Sequence, residues 1–183
     1  MVSILLFCAM LFQAGSPTAP KPLIENEHVT VWDVADSATA QPMDAVVVAL
    51  SGSASFLPKG TAPKINGRSI VIDLKDQQAT PYKNTTTYPL AFPRPGSKKI
   101  LENDRVIVWD YTWTPDVATP MHFHDKDVVA TFLEDGDLKS TTPDGQATVK
   151  PYKPGTVKYN LGGRTHTETL IRGKQRAIIV ELK

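Results

Sequence analysis

Glu102-Asn103-Asp104-Arg105-Val106-Ile107-Val108-Trp109-Asp110 restates, 77 residues on, the string Glu25-Asn26-Glu27-His28-Val29-Thr30-Val31-Trp32-Asp33. Two further pairs follow in the same order. Asp44-Ala45-Val46-Val47-Val48-Ala49-Leu50 matches Asp127-Val128-Val129-Ala130-Thr131-Phe132-Leu133 at an offset of 83, and Arg68-Ser69-Ile70-Val71-Ile72-Asp73-Leu74-Lys75 matches Arg176-Ala177-Ile178-Ile179-Val180-Glu181-Leu182-Lys183 at 108. Three blocks in one order mark a tandem duplication. The growing offset shows that the second copy keeps a segment the first lacks, mostly between Leu50 and Phe56. Each block is a short run of β-branched and aromatic residues bounded by Gly, Pro, Asn or Asp, the pattern of strands in a sandwich or barrel. No segment carries sustained helical periodicity, so the expected class is all-β. Pro143-Asp144-Gly145 predicts a hairpin turn between 138–141 and 147–150.

Composition narrows the rest. The chain has 183 residues, 20 Lys plus Arg against 19 Asp plus Glu, and a net charge of +1, so it lacks the excess of basic residues that a nucleic-acid partner calls for. With 41% apolar and 21% charged residues it can bury a core and is too balanced to be a disordered chain. Fifteen prolines exclude an all-helical fold. The single cysteine, Cys8, excludes an intrachain disulfide and a thiolate zinc or iron–sulfur site, so any metal must be held by His and carboxylate.

Residues 4–12 form an apolar run too short to span a bilayer and of the length found in secretory signal peptides, with Ala14-Gly15-Ser16 as a processing site. The expected division is a signal peptide over 1–16, a leader over 17–22, the first copy and its connection over 23–95, and the second copy over 96–183. Cys8 would leave with the signal, consistent with a periplasmic or secreted protein that keeps no membrane span after processing. The stretch from Lys75 to Pro95, rich in Thr, Pro and Asn, is the expected connection between the copies.

His122-Phe123-His124 leads into an apolar strand, and residues i and i+2 of a strand share a face, so two imidazoles converge. His166 lies in a later polar strand. At this point the sequence resembles the cupin superfamily, whose small double-stranded β-helix barrels are relatives of the jelly roll. Its second motif, G-x5-P-x-G-x2-H-x3-N, is matched in spacing by Gly155, Leu161, Gly163, His166 and Leu170, with Leu161 in place of Pro and Leu170 in place of Asn. Its first motif, G-x5-H-x-H-x3,4-E-x6-G, is matched by His122, His124 and Gly136, with Asp116 at the leading Gly. The acidic position falls on Val128 or Val129. The resemblance covers residues 100–183 well and 23–75 as a degraded copy. It implies a metal held by three His, with Asp127 as a shorter carboxylate arm or, the reading preferred here, as a turn or capping residue, since Asp44 stands in its place in the first copy. There Thr39, Gln41 and Pro63 replace the three histidines together, which sets the first copy apart as a barrel half without metal.

Three imidazoles suit Zn, Fe, Mn, Ni or Cu, and open coordination positions suit Lewis-acid or oxygen chemistry. Glu168 and Arg164 share the strand parity of His166; Glu168 is the candidate general acid or base. Trp109, Tyr111 and Trp113 alternate as packing residues, with the first copy as their candidate surface. The expected function is an exported, metal-binding cupin that binds or acts on a small molecule, as an oxygenase, isomerase or lyase; the alternative is a non-catalytic module in which the metal braces the barrel. The shortened first copy can stand in for a second subunit, which predicts a monomer, while the strand edge left by the missing segment would allow a homodimer.

Overall fold

The computed structural model describes residues 21–35, 42–63, 65 and 67–183. The signal-peptide stretch and the first-copy positions Thr39 and Gln41 lie outside them. No helix is present among the described residues, and none long and apolar enough to cross a membrane.

Among the described residues, fourteen strands build three sheets. In the first copy, β1 (Ile24–Glu25), β2 (Val29–Val34), β3 (Ala45–Ala49), β4 (Ala54–Leu57) and β5 (Ser69–Leu74) form an antiparallel sheet in the order β1-β2-β5-β3-β4. In the second copy, β6 (Ser97–Glu102), β7 (Val106–Thr112), β9 (Val128–Phe132), β12 (Val157–Asn160) and β14 (Arg176–Leu182) form its counterpart, β6-β7-β14-β9-β12. The remaining strands, β8 (His122–Phe123), β10 (Gly136–Thr141), β11 (Ala147–Tyr152) and β13 (Thr165–Gly173), make a four-stranded sheet, β11-β10-β13-β8, with no equivalent in the first copy among the described residues.

The duplication extends to individual hydrogen bonds. Val29 pairs with Leu74 as Val106 pairs with Leu182, and Ala45 pairs with Asp73 as Val128 pairs with Glu181. Asn26 Oδ1 accepts from the amides of His28 and Val29, and Asn103 Oδ1 from those of Arg105 and Val106. The Trp32 indole donates to Asp73 and the Trp109 indole to Glu181, each at 2.7 Å. Burial raises the pKa of both carboxyls. Arg68 is paired with Asp33 as Arg176 is with Asp110. The missing segment falls where the offset placed it: the hairpin β10-β11 lies between β9 and β12, whereas a short turn through Gly52 joins β3 to β4. Its turn is the expected one, closed by the Gly145 amide on the Thr142 carbonyl at 2.9 Å.

The central sheet is buried on both faces, which is why its strands read as continuous apolar runs such as VVATF and AIIVEL. Val106, Val108, Val129, Ile178 and Val180 on one face pack against Val29, Val31, Val46, Ile70 and Ile72 of the first copy. Trp109, Tyr111, Ala130, Phe132 and Ile179 on the other face, with Trp113, pack against Leu138 and Leu170 of the four-stranded sheet. The aromatic alternation was therefore right about packing and wrong about the surface: these rings fill the second copy's own barrel, because odd-numbered residues of β7 from Trp109 onward point away from the duplicated sheet. The architecture is a jelly-roll barrel with a second, single-sheet copy laid on its back.

Candidate metal centre

The site is assembled where β8 meets β13. His122 is paired in register with His166, and the ladder runs on past β8, with the His124 amide donating to the Arg164 carbonyl and the Gly163 amide to the His124 carbonyl. One ring nitrogen from each of His122, His124 and His166 lies within 4.8 Å of the others, and all three side chains are buried. His122 Nδ1 donates to the Pro120 carbonyl at 2.7 Å, which leaves its Nε2 as a lone-pair donor 3.2 Å from His124 Nε2. Two buried ring atoms, His124 Nδ1 and His166 Nε2, have no hydrogen-bond partner.

Burial holds all three imidazoles neutral at physiological pH. The pKa of His122 is lowered to about 3 by desolvation and then by Arg94 and His166; that of His166 falls to about 3 by desolvation and then by Arg164 and Arg94. His124 lies well below its ordinary value, by desolvation first and by the other two imidazoles next. A neutral imidazole is the ligating form, so this donor set fits a divalent transition metal, and a cation would satisfy the orphaned His166 Nε2.

Asp127 is not gathered with them. Its Oδ1 accepts from the Gly162 amide at 2.7 Å and its Oδ2 from the Tyr159 hydroxyl at 2.5 Å. The carboxylate-arm reading is thereby corrected in favour of the capping one. In the first copy Asp44 accepts from the amide of Lys59, the residue equivalent to Gly162, at 2.9 Å. The same aspartate ties the same loop in both copies, with or without histidines. Asp127→Ala should therefore cost about 2–4 kcal/mol in urea denaturation, since a buried amide and a phenol lose a charged acceptor, while leaving metal stoichiometry unchanged. Loss of metal with unchanged stability would restore the ligand role.

The carboxylate that does reach the cluster is Glu168. Its Oε1 is 3.8 Å from His166 Nε2, and its Oε2 accepts from Trp113 Nε1 and Arg94 Nη2, both at 3.2 Å. Arg94 is the residue that sequence reading missed. It comes from the connection, its side chain is 5% exposed, and it stacks on Phe92 and Tyr111 with its guanidinium carbon 4.7 and 4.3 Å from the ring centres. Its Nη1 donates to His122 Nε2 at 2.7 Å. Nothing local marks it, since a Pro-flanked arginine in a loop is an ordinary surface residue; only the path of the connection, bound through the Ala91 amide to the Phe123 carbonyl, carries it inward.

Asp116, at the position of the motif's leading glycine, has a φ of +59°. Glycine is the usual residue there because its lack of Cβ permits the left-handed region, and aspartate is among the few others that tolerate it.

No family model matches the chain, and no curated protein matches it. Among solved structures it is similar to a cupin domain from Bordetella pertussis Tohama I, at 24% identity over 51% of this chain and 99% of that one, with a TM-score of 0.43. It is similar also to a cupin 2 conserved barrel domain protein from Leptotrichia buccalis, at 11% identity over 89% of this chain and 88% of that one, with a TM-score of 0.47. A third is the polyketide cyclase RemF from Streptomyces resistomycificus, at 23% identity over 55% and 76%, with a TM-score of 0.39. The two facing sheets, the paired β8 and β13 and the three converging histidines are arranged as in a jelly-roll barrel, the fold that the sequence's resemblance to the cupin superfamily implied.

Within this barrel a cavity of about 190 Å³ adjoins the histidines. Its lining includes the polar residues His124, His166, Glu168, Arg94 and Arg164 and the apolar or aromatic residues Trp113, Phe132, Tyr152 and Leu138. Glu168 and Arg164 therefore both face the barrel interior, as their shared parity with His166 predicted.

Proposed function

We propose that this chain is an exported cupin that holds one divalent transition metal on His122, His124 and His166 and binds or transforms a small molecule in the adjoining cavity. The observation that carries this is the convergence of three buried, neutral imidazoles on one point beside a cavity; a metal that only braced the barrel would have no use for the open space. When bound, the metal supplies Lewis-acid polarisation or, if redox-active, oxygen chemistry. The chain's own groups do the rest. Glu168 stands beside His166 with Oε1 free of protein donors, placed to take or give a proton on a ligand in the cavity, while Trp113 and Arg94 fix its other oxygen. The signal-peptide pattern over 1–16 supports a periplasmic or secreted location, and the first copy's sheet, packed where a second barrel could dock, supports a monomer.

Metal analysis of tag-free protein from a periplasmic fraction tests the reading, with about one equivalent per chain and an N-terminus near residue 17 expected. Absence of metal after loading with each of Zn, Fe, Mn, Ni and Cu would sink it.

Arg94 sets a further expectation. A guanidinium beside a dication is repulsive by several kcal/mol at an effective dielectric of about 20, and Glu168 offsets only part of that. Arg94→Gln should accordingly tighten metal binding by at least about tenfold in chelator competition, at some cost in thermal stability. Weaker binding would show instead that Arg94 orients the ligating His122.

A further inference from the structure

The cavity beside the histidines has an uneven charge balance. Arg94, Arg164 and Lys150 line it as cations, against the single carboxylate of Glu168. Arg94 is already committed, to Glu168, to His122 and to the Ala91 carbonyl. Arg164 is not. Its Nε donates to the Leu161 carbonyl at 2.7 Å, and no carboxylate forms an ion pair with it among the described residues. A half-buried guanidinium without a counterion is costly, and its planar fork matches a carboxylate in bidentate fashion. The same cavity is lined by a row of rings: Phe132 is stacked on Tyr152 with centres 3.8 Å apart and planes 16° from parallel, and Trp113 on Phe132 at 6.1 Å and 22°. A flat apolar body fits such a wall, and the volume of about 190 Å³ limits it to a small one.

We infer that this cavity takes a small organic carboxylate with a flat apolar body, its carboxylate on Arg164 and its body against Trp113, Phe132 and Tyr152. The inference names the ligand class for the function proposed above and rests on it in placing that ligand beside the metal. An anion there would also offset the charge that a dication adds next to Arg94 and Arg164. Metal and carboxylate should therefore bind cooperatively, each tightening the other by the same factor.

Benzoate is the probe, with benzamide as its neutral counterpart and inorganic phosphate as an anion without a flat body. Calorimetric titration of the full chain should show benzoate binding at least tenfold tighter than benzamide or phosphate, both with metal and after chelator treatment, and tighter with metal. Arg164→Gln should weaken benzoate at least tenfold and leave benzamide unchanged. Equal affinity for benzoate and benzamide overturns the carboxylate assignment, and phosphate binding as tightly as benzoate overturns the flat body; both comparisons use the unaltered chain, so they stand even if the variant does not fold. Metal content is measured on the same samples. A chain that takes no metal yet prefers benzoate overturns only the metal reading, whereas one that takes a full equivalent without preferring benzoate overturns only this one.

Discussion

Alanine in place of His122 or of His166 should take the chain from about one metal equivalent to a small fraction of one, with affinity lower by at least about a hundredfold. A three-imidazole site has no spare ligand, and loss of even a partner that only orients a ligand typically costs 10–100-fold. Asp127 cannot compensate, because both of its oxygens are engaged by Tyr159 and Gly162. Glu168 could replace a ligand only by leaving Arg94 and Trp113. The two variants should differ in stability. His122 is 1% exposed and accepts from the Arg94 guanidinium, so His122→Ala takes away the nearer acceptor of a buried donor that keeps its ion pair with Glu168 and should be the less stable, whereas the His166 Nε2 has no partner to strand. Elemental analysis and thermal melts on the same preparations check both statements. Full metal retention by either variant would exclude the three-histidine site.

Acid should destabilise the metal-free chain steeply between pH 7 and pH 5. The three imidazoles have folded pKa values depressed from 6.5, to about 3 for His122 and His166 and well below 6.5 for His124. Between about 3 and 6.5 the unfolded chain binds more protons than the folded one. Stability is thus intact above 6.5, falls as the pH drops through this window, and levels off near 3. One such histidine contributes roughly 2 kcal/mol between pH 7 and pH 5, and three coupled ones about 3–6. A melting temperature lower by about 10 °C or more at pH 5 is expected for a chain of this size. Asp73 and Glu181, raised by burial, act in the opposite sense, but only as the pH nears the carboxylate range. Metal, which competes with the protons, should hold the melting temperature up to a lower pH, and His166→Gln should flatten the slope. A melting temperature equal at pH 5 and pH 7 after chelator treatment would show that the imidazoles are not held neutral by burial.

The histidine trio was legible in the sequence because strand parity is local. His122 and His124 share a face through a period of two, and the third was implied by the resemblance of the spacing from Gly155 to His166 to the cupin motif. The duplication was legible for a similar reason, since repeated strings such as ENDRVIVWD and RAIIVELK fold into repeated registers. The destination of the aromatic alternation was not legible. A sheet with two buried faces gives its strands apolar residues on both, so the pattern of β7 does not say which face meets the first copy and which meets its own barrel.

Asp127 and Arg94 show the same division from opposite sides. The sequence offered an aspartate three residues from His124 as a ligand, and proximity in the chain proved a poor guide because its carboxylate turns to a loop 35 residues away. The guanidinium that does touch His122 lies 28 residues from it, in a connection with no strand pattern. By itself the sequence determined the all-β class, the two copies and the shared face of His122 and His124, which follow from strand patterns, repeated strings and strand parity, while His166 was implied by the resemblance to the cupin motif. Only the tertiary structure decided which charges share the site with them, because a side chain's electrostatic neighbours are set by how separate strands and loops pack, and no local periodicity encodes that.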